Sequence, residues 1–408
     1  MQSVSKGSRC HIGIYGRRNV GKSSLINLIT QQEVSIISAQ AGTTTDYVEK
    51  TMEFLPLGPV LFIDTAGLDD EGDLGKARIN KTKRLFDRTD LALLVTEADV
   101  WTDFEEQLLK EFKQRDIPTI IVLNKIDTHK VDQNIVNRFE HNHCISITTR
   151  NKSSIQLIRE AILAVAPNEF FVSKQLVGDL LNPGDIVIYV IPIDSEAPKG
   201  RLLLPQVQAL RDSLDKNAIS IVVKLEELKQ VLSYLKVKPK LVIVDSSTLG
   251  EVKNIIPKNI LLTSFSILYS RLHGDLAIQA AGAMAIDKLI PGDQVLISES
   301  CSHHPIGEDI GRIKIPRWLK NHAGGKLDIS VIQGHDFPTD LADYKLVILC
   351  GSCMINRKEV LQRIVLCKNA GVPCTNYGLV IAHCSNILAR VLEPFSEVKD
   401  LIKSKMGK

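Results

Sequence analysis

Short apolar runs recur along this chain, spaced so that one helix fits between each pair. In the first 170 residues "CHIGIYG", "VLFIDTAG", "DLALLVTEA", "TIIVLNKID" and "HCISIT" are near-continuous apolar stretches of strand length. Between them, "GKSSLINLIT" and "FEEQLLKEFKQR" place apolar residues at helical spacing. Continuous apolar runs mark strands buried on both faces, whereas strict alternation would mark a half-exposed sheet. Strand–helix alternation of this kind predicts a mostly parallel sheet covered by helices on both sides. Pro167 stops the last helix of this region, and "NEFFVSKQLVGDLLNPGD" reads as a connector.

The pattern then repeats twice on a smaller scale. "DIVIYVIPI", "AISIVVK" and "PKLVIVDS" are strand-like, with two helical stretches between them. From about Asn259 a helix at "DLAIQAAGAMAIDKLI" leads into the strands "QVLISES", "KLDISVIQ" and "YKLVILC", then a helix at "NRKEVLQRIVLCKNA". The expected fold is α/β in three domains: a P-loop domain with a mostly parallel sheet over residues 1–170, then two smaller α/β domains with parallel sheets over 171–258 and 259–408. "NPGDIVIY" and "IPGDQVLI" look alike; a Pro-Gly turn feeding a strand accounts for the likeness without a duplication.

Composition narrows the function classes. The 408 residues carry 50 Lys and Arg against 47 Asp and Glu, a net charge of +3. So balanced a chain implies no polyanion-binding surface, and no nucleic acid is expected as partner. No stretch approaches the roughly 18 apolar residues of a membrane span, and the first residues lack the apolar core of a secretory signal. A cytoplasmic protein is expected, and its eight cysteines are then free thiols, metal ligands or both.

Three segments carry nucleotide chemistry. "GRRNVGKS", from Gly16 to Ser23, follows a strand and opens a helix, as a phosphate-binding loop must. In such a loop, backbone N–H groups at Gly16, Asn19, Val20, Gly21 and Ser24 curl round phosphate oxygens, while Lys22 reaches the β and γ phosphates. Ser23 offers a hydroxyl to magnesium. "DTAG" lets Asp64 reach that magnesium through water and the Gly67 amide sense the γ phosphate. "NKID" supplies Asn124, Lys125 and Asp127, whose carboxylate accepts from the guanine N1–H and exocyclic amine. A pocket built for those bonds rejects the wrong base by about 10⁴-fold, because its polar groups would stay unpaired.

The order and spacing of these segments resemble the translation-factor class of small GTPases. Asn19 and "AGTTTD" (Ala41 to Asp46) are similar to the potassium-responsive bacterial GTPases related to Era and MnmE. That resemblance implies that Thr44 closes on magnesium and that Asn19 helps to hold a K+ ion against the phosphates. Leu68 stands where Ras-like proteins carry a water-orienting glutamine, so intrinsic hydrolysis should be slow. Ser146 matches the last base-contacting motif, but Ile147 stands where alanine is usual.

Thiols dominate the C-terminal third. "SESCSHHP" puts Cys301 and His303 just past one predicted strand, and "LCGSC" puts Cys350 and Cys353 just past another. Ligands of an open parallel sheet gather outside the carboxyl ends of its strands. Gly351 is expected to let the chain bend between the paired cysteines. Asn356 with Glu359 reads as a capping box, so Cys353 should lie just ahead of a helix N-terminus, which favours thiolate. On residue types alone the pair fits a closed zinc site, an iron–sulfur cluster, a redox dithiol or two inert thiols. Cys10, Cys144, Cys367, Cys374 and Cys384 read as packing residues.

Cys301-x-His303, 46 intervening residues and Cys350-x-x-Cys353 closely resemble the cluster signature of the HydF family, the maturation GTPases of iron–iron hydrogenases. "APKGRLLLPQVQALRD" and "CGSCM" are similar to that family too. The resemblance spans the chain and implies a GTPase domain, a dimerisation domain and a cluster domain. It also implies GTP, Mg2+ and K+, and a 4Fe-4S cluster on the three cysteines with a labile fourth ligand; His303 is a possible one. A transient di-iron subcluster precursor would be cargo for apo iron–iron hydrogenase, with the radical SAM maturases HydE and HydG as further partners and a homodimer or tetramer as the assembly. Without the resemblance, a ribosome- or RNA-associated GTPase with a structural zinc domain, or a GTP-regulated dithiol reductase, would fit the motifs.

Overall fold

Three parallel-dominated sheets organise the described residues. A computed structural model describes residues 6–30, 48–65, 85–139, 143–171, 175–193, 202–300 and 309–406. Residues Met1–Ser173 and Lys174–Lys408 form two compact units, and the division falls inside the expected connector.

In the first unit, strands β1 (Cys10–Tyr15), β3 (Gly58–Asp64), β4 (Leu91–Glu97), β5 (Thr119–Asn124) and β6 (Cys144–Ser146) run parallel, with β2 (Val48–Phe54) antiparallel at one edge. The order is β2-β3-β1-β4-β5-β6. Every residue of β1 is buried, which explains its unbroken apolar run. By contrast β2, sequence "VEKTMEF", buries only Phe54 fully, and its polar residues leave no apolar run to mark it. Tyr15, Phe86 and Phe112 form an aromatic knot on one face, with ring centroids 5.0–5.3 Å apart. The helix Ser154–Val165 ends just before Pro167, with the Ala166 N–H still bonding the Ile162 carbonyl, and a single 3₁₀ turn, Asn168–Phe170, follows.

The second unit holds two four-stranded parallel sheets. One consists of β7 (Ile186–Val190), β8 (Ile219–Val223), β9 (Leu241–Val244) and β10 (Leu261–Ser264), in the order β10-β9-β7-β8. The other consists of β11 (Gln294–Glu299), β12 (Asp328–Gln333), β13 (Tyr344–Leu349) and β14 (Cys374–Asn376), in the order β12-β11-β13-β14. Strand β10 follows the boundary expected at 258/259 and yet pairs with β9. The helix Leu388–Leu392 returns to the same core, where Leu388 and Val391 are buried with Ile260 and Leu262. One apolar core thus runs through both halves of this unit.

Numbered from its own first strand, each small sheet has the order 2-1-3-4. The likeness of "NPGDIVIY" to "IPGDQVLI" is part of this correspondence. Gly184 and Gly292 both take the left-handed backbone (φ 85 and 92) that the turn requires. Asp185 accepts from the Asn182 N–H at 2.8 Å, and Asp293 from the Ile290 N–H at 2.9 Å. The similarity therefore goes beyond a shared turn to a shared strand order.

No helix among the described residues is long and apolar enough to cross a membrane.

Candidate functional site

The loop from Gly16 to Ser23 leaves β1 and enters the helix Lys22–Thr30 between β3 and β4, where the sheet order reverses. Asn19 has φ 64, a left-handed conformation that asparagine tolerates better than most residues. Gly21 has φ 100, and a Cβ there would sit 2.3 Å from Asn124 Nδ2, so no other residue fits. The buried Lys22 ammonium donates to the Gly16 carbonyl at 2.8 Å and the Arg17 carbonyl at 2.6 Å. Its charge is held inside the loop, on carbonyls that phosphate oxygens would replace. Ser23 Oγ donates to Asp64 Oδ2 at 2.7 Å, so the two expected magnesium contacts already touch. Burial raises the Asp64 pKa, opposed by Ser23, Lys22 and Lys50. Thr65, next to Asp64, is itself pinned, its hydroxyl donating to the Ile14 carbonyl at 2.6 Å. Thr44, Gly67 and Leu68 lie outside the described residues.

"NKID" closes the other side. Asn124 Nδ2 donates to the Val20 carbonyl at 2.8 Å, joining it to the phosphate loop. Lys125 has φ 65 and pairs with Glu97 at 2.5 Å. Asp127 accepts from Thr148 Oγ1 at 2.7 Å and pairs with Arg150 at 2.9 Å. The Thr148 hydrogen bond, with Arg150 adding, holds its carboxyl below the usual range. Sequence reading missed Thr148, Arg150 and Glu97; only the position of Thr148, one residue past "CISI", carried a signal. Ile147 is buried in the core, which explains an isoleucine where alanine is usual.

At the other end of the chain the order β12-β11-β13-β14 makes β11 and β13 neighbours. Connections from β11 run to one side and from β13 to the other, so the carboxyl ends of these strands flank the switch point of an open parallel sheet. Cys350 follows β13, and its N–H donates to the Ser298 carbonyl at 3.0 Å. Ser300, the last described residue before Cys301, meets Cys350 Sγ through its N–H at 3.1 Å and its hydroxyl at 2.8 Å. Cys301, His303 and His304 themselves lie outside the described residues.

Two local expectations need correction. The bend between the cysteines is made by Ser352, at φ 54, and not by Gly351. Nor does the helix that follows lower the Cys353 thiol: burial pushes it up to about 11, with Cys350 adding to the rise. Asn356 does cap the helix Arg357–Asn369, accepting from the Glu359 N–H at 3.2 Å. The Glu359 carboxylate pairs with Arg363 at 2.6 Å and His335 at 2.9 Å. Arg363 in turn donates to Ser298 Oγ and the Gly334 carbonyl, both at 2.7 Å, bracing the ends of β11 and β12. Buried Glu299 pairs with Arg312 at 3.3 Å and accepts from Gln333 at 3.1 Å. Cys10, Cys144, Cys367 and Cys374 are buried and Cys384 is partly so.

The chain matches three family models. Residues 11–125 match a GTPase family described as 50S ribosome-binding. Residues 176–274 match the hydrogen maturase F dimerization domain, and residues 277–394 the hydrogen maturase F tetramerization domain. Among curated proteins, GTPase Der of Wolinella succinogenes is 33% identical over 187 residues, covering 43% of this chain and 39% of its own length. The tRNA modification GTPase MnmE of Prochlorococcus marinus is 40% identical over 118 residues, covering 28% of this chain and 25% of its own. The chain thus spans about two fifths or less of these relatives. Of solved structures, Era of Aquifex aeolicus bound to GDP and aluminium fluoride is 21% identical, covering 53% of this chain and 94% of that one, with a TM-score of 0.33. The G domain of the T. maritima FeoB transporter is 21% identical, covering 38% and 98%, with a TM-score of 0.31.

Proposed function

Because the chain belongs to the hydrogen maturase F family, whose two models together match more than half of it, we propose that it is a GTP-hydrolysing scaffold and carrier in iron–iron hydrogenase maturation. Lys22 and the loop amides of Gly16, Asn19, Val20, Gly21 and Ser24 bind the phosphates. Ser23 and Thr44 hold magnesium, and Asp64 reaches it through water. Gly67 reports the γ phosphate, while Asn124, Lys125, Asp127 and Ser146 frame the guanine. With Leu68 in the glutamine position, charge developing on the transferring phosphoryl needs another stabiliser, and K+ at Asn19 is the reading we favour.

Cys301, Cys350 and Cys353 would hold a 4Fe-4S cluster. The observation that carries this is the contact of Ser300 with Cys350 Sγ beside the switch point of the third sheet. Thiolate sulfurs suit iron–sulfur clusters. When bound, the cluster supplies an iron whose fourth position is exchangeable, which suits a protein that takes up and then releases a di-iron precursor. Cys353 must first lose its proton, since burial keeps it a thiol in the metal-free chain. Apo hydrogenase and the radical maturases HydE and HydG are the proposed partners, in the cytoplasm. Exposed Ile219 and Val222 on edge strand β8 support self-association of the dimerization domain.

The test is anaerobic reconstitution followed by iron and acid-labile sulfide analysis. Cys301→Ser, Cys350→Ser and Cys353→Ser should each lose most cluster iron and all activation of apo hydrogenase. His303→Ala should keep the cluster and change its electron paramagnetic resonance signal. Full cluster content in any cysteine variant would refute the ligand set. Bound zinc without sulfide in the wild type would favour a ribosome- or RNA-associated GTPase instead.

A further inference from the structure

Asp287, His322 and His383 come from three elements 96 residues apart and meet at one point. Asp287 lies on the short 3₁₀ helix Met284–Lys288, just before β11. His322 lies in the last turn of the helix Ile315–Ala323 and His383 in the last turn of the helix Tyr377–Cys384. Both helices run from the carboxyl ends of the strands back to their amino ends. The cluster therefore sits at the edge of the third sheet opposite Cys350.

The two Nε2 atoms converge on one carboxylate oxygen, Asp287 Oδ1, at 2.9 Å from His322 and 2.8 Å from His383. One ligand atom from each residue lies within 4.8 Å of the others, and three donors round a tetrahedral ion with bonds of about 2.0–2.1 Å stand roughly 3.3–3.4 Å apart, so side-chain shifts of about an ångström bring the set onto one ion. Two helix C-termini add negative partial charge at the same place, which favours a cation. The histidine side chains are 32% and 12% exposed and the Asp287 side chain 59%, so the rings are fixed while the carboxylate edge faces outward. It opens into a cleft of about 750 Å³ that also reaches Lys258, Asn386 and Glu393. A second convergence of this type among the described residues, Glu97, Asp99 and His129, is weaker because the Lys125 ammonium already occupies Glu97.

We propose that Asp287, His322 and His383 form a site for a divalent transition-metal ion of the zinc class. Two imidazoles and one carboxylate leave at least one coordination position open to the cleft, available to water or an anionic ligand. This site shares no residue with the cluster cysteines and does not depend on them.

Cobalt(II) tests it, because its visible spectrum separates nitrogen and oxygen ligands from thiolates. Full-length protein carrying Cys301→Ser, Cys350→Ser and Cys353→Ser, stripped with chelator, should take up one cobalt per chain with d–d absorption and no sulfur-to-cobalt charge transfer. His383→Ala in that background should weaken binding by about 100-fold or more, above the range seen when only an outer-shell partner is lost. Asp287→Asn keeps the shape and the hydrogen bonding, so it decides the matter if the histidine variant fails to fold; it should weaken binding at least about 10-fold. No retained cobalt, or retention unchanged by Asp287→Asn, overturns the proposal.

Discussion

The side-chain amide of Asn124 donates to the backbone carbonyl of Val20 at 2.8 Å, fastening the guanine-reading strand end to the phosphate loop. The bond crosses 104 residues and is buried, so losing it leaves the Val20 carbonyl without its donor. Such a loss costs about 1–3 kcal/mol. Asn124→Ala should weaken GTP and GDP binding together by roughly 10- to 100-fold, measured with fluorescent nucleotides. Gly21→Ala should be worse, since its Cβ would strike Asn124. Unaltered affinity in both variants would show that the tie is incidental.

Asp127 offers a sharper test of base choice. Its partner Arg150 has a side chain that is 79% exposed, and exposed pairs contribute at most about 1 kcal/mol. Arg150→Ala should change GTP affinity by less than about fivefold. Asp127→Asn should weaken GTP binding by about 10³-fold and gain affinity for xanthosine triphosphate. Hydrolysis of ATP as fast as GTP by the wild type would sink the reading of "NKID".

Potassium dependence can be separated from backbone strain. Asn19 sits at φ 64, so Asn19→Ala changes both the amide and the cost of the backbone conformation. Asn19→Gly keeps the backbone at ease and removes only the amide. Hydrolysis in potassium chloride should exceed that in sodium chloride severalfold for the wild type and be equal for Asn19→Gly. A retained difference in the glycine variant would exclude Asn19 as the potassium contact.

Acid should loosen the third sheet. Burial works against the Glu359 carboxylate, but His335 and Arg363 outweigh it and hold its pKa below the usual value. A carboxyl depressed on folding stabilises above its unfolded pKa, about 4.3, and the contribution is lost as pH falls through the folded value. Glu359→Gln leaves Arg363 buried without its charge partner, at a cost of about 3–5 kcal/mol. Urea unfolding should show this deficit at pH 7 and a shrinking one below pH 4. A constant deficit would mean that the pair is not ionic.

Self-association should depend on the β8 edge. Ile219 is 52% exposed and Val222 48%, on a strand with one free side among the described residues. Ile219→Lys with Val222→Lys places charge along that edge and should lower the mass measured by light scattering. An unchanged mass would move the interface elsewhere.

Local physics made much of this protein legible before folding. "GRRNVGKS", "DTAG" and "NKID" carry their chemistry within a few residues each, because strand–turn–helix geometry is set by neighbours in the chain. Apolar runs announced the buried central strands for the same reason. They missed β2, where four of the seven residues are polar, and β10 ("LLTS") and β14 ("CTN"), where polar residues make up at least half of a short strand. What lies across the sheets was decided by tertiary structure alone. Strand order put β11 beside β13 and so Ser300 against Cys350, and packing took Cys353 far enough from water to outweigh the helix beside it, though the residue is only partly buried. Asn124 with Val20, and Asp287 with two distant histidines, meet only once the crossovers have closed. Their pairing is worth little until the apolar core between them has formed, so nothing in the local pattern encodes it.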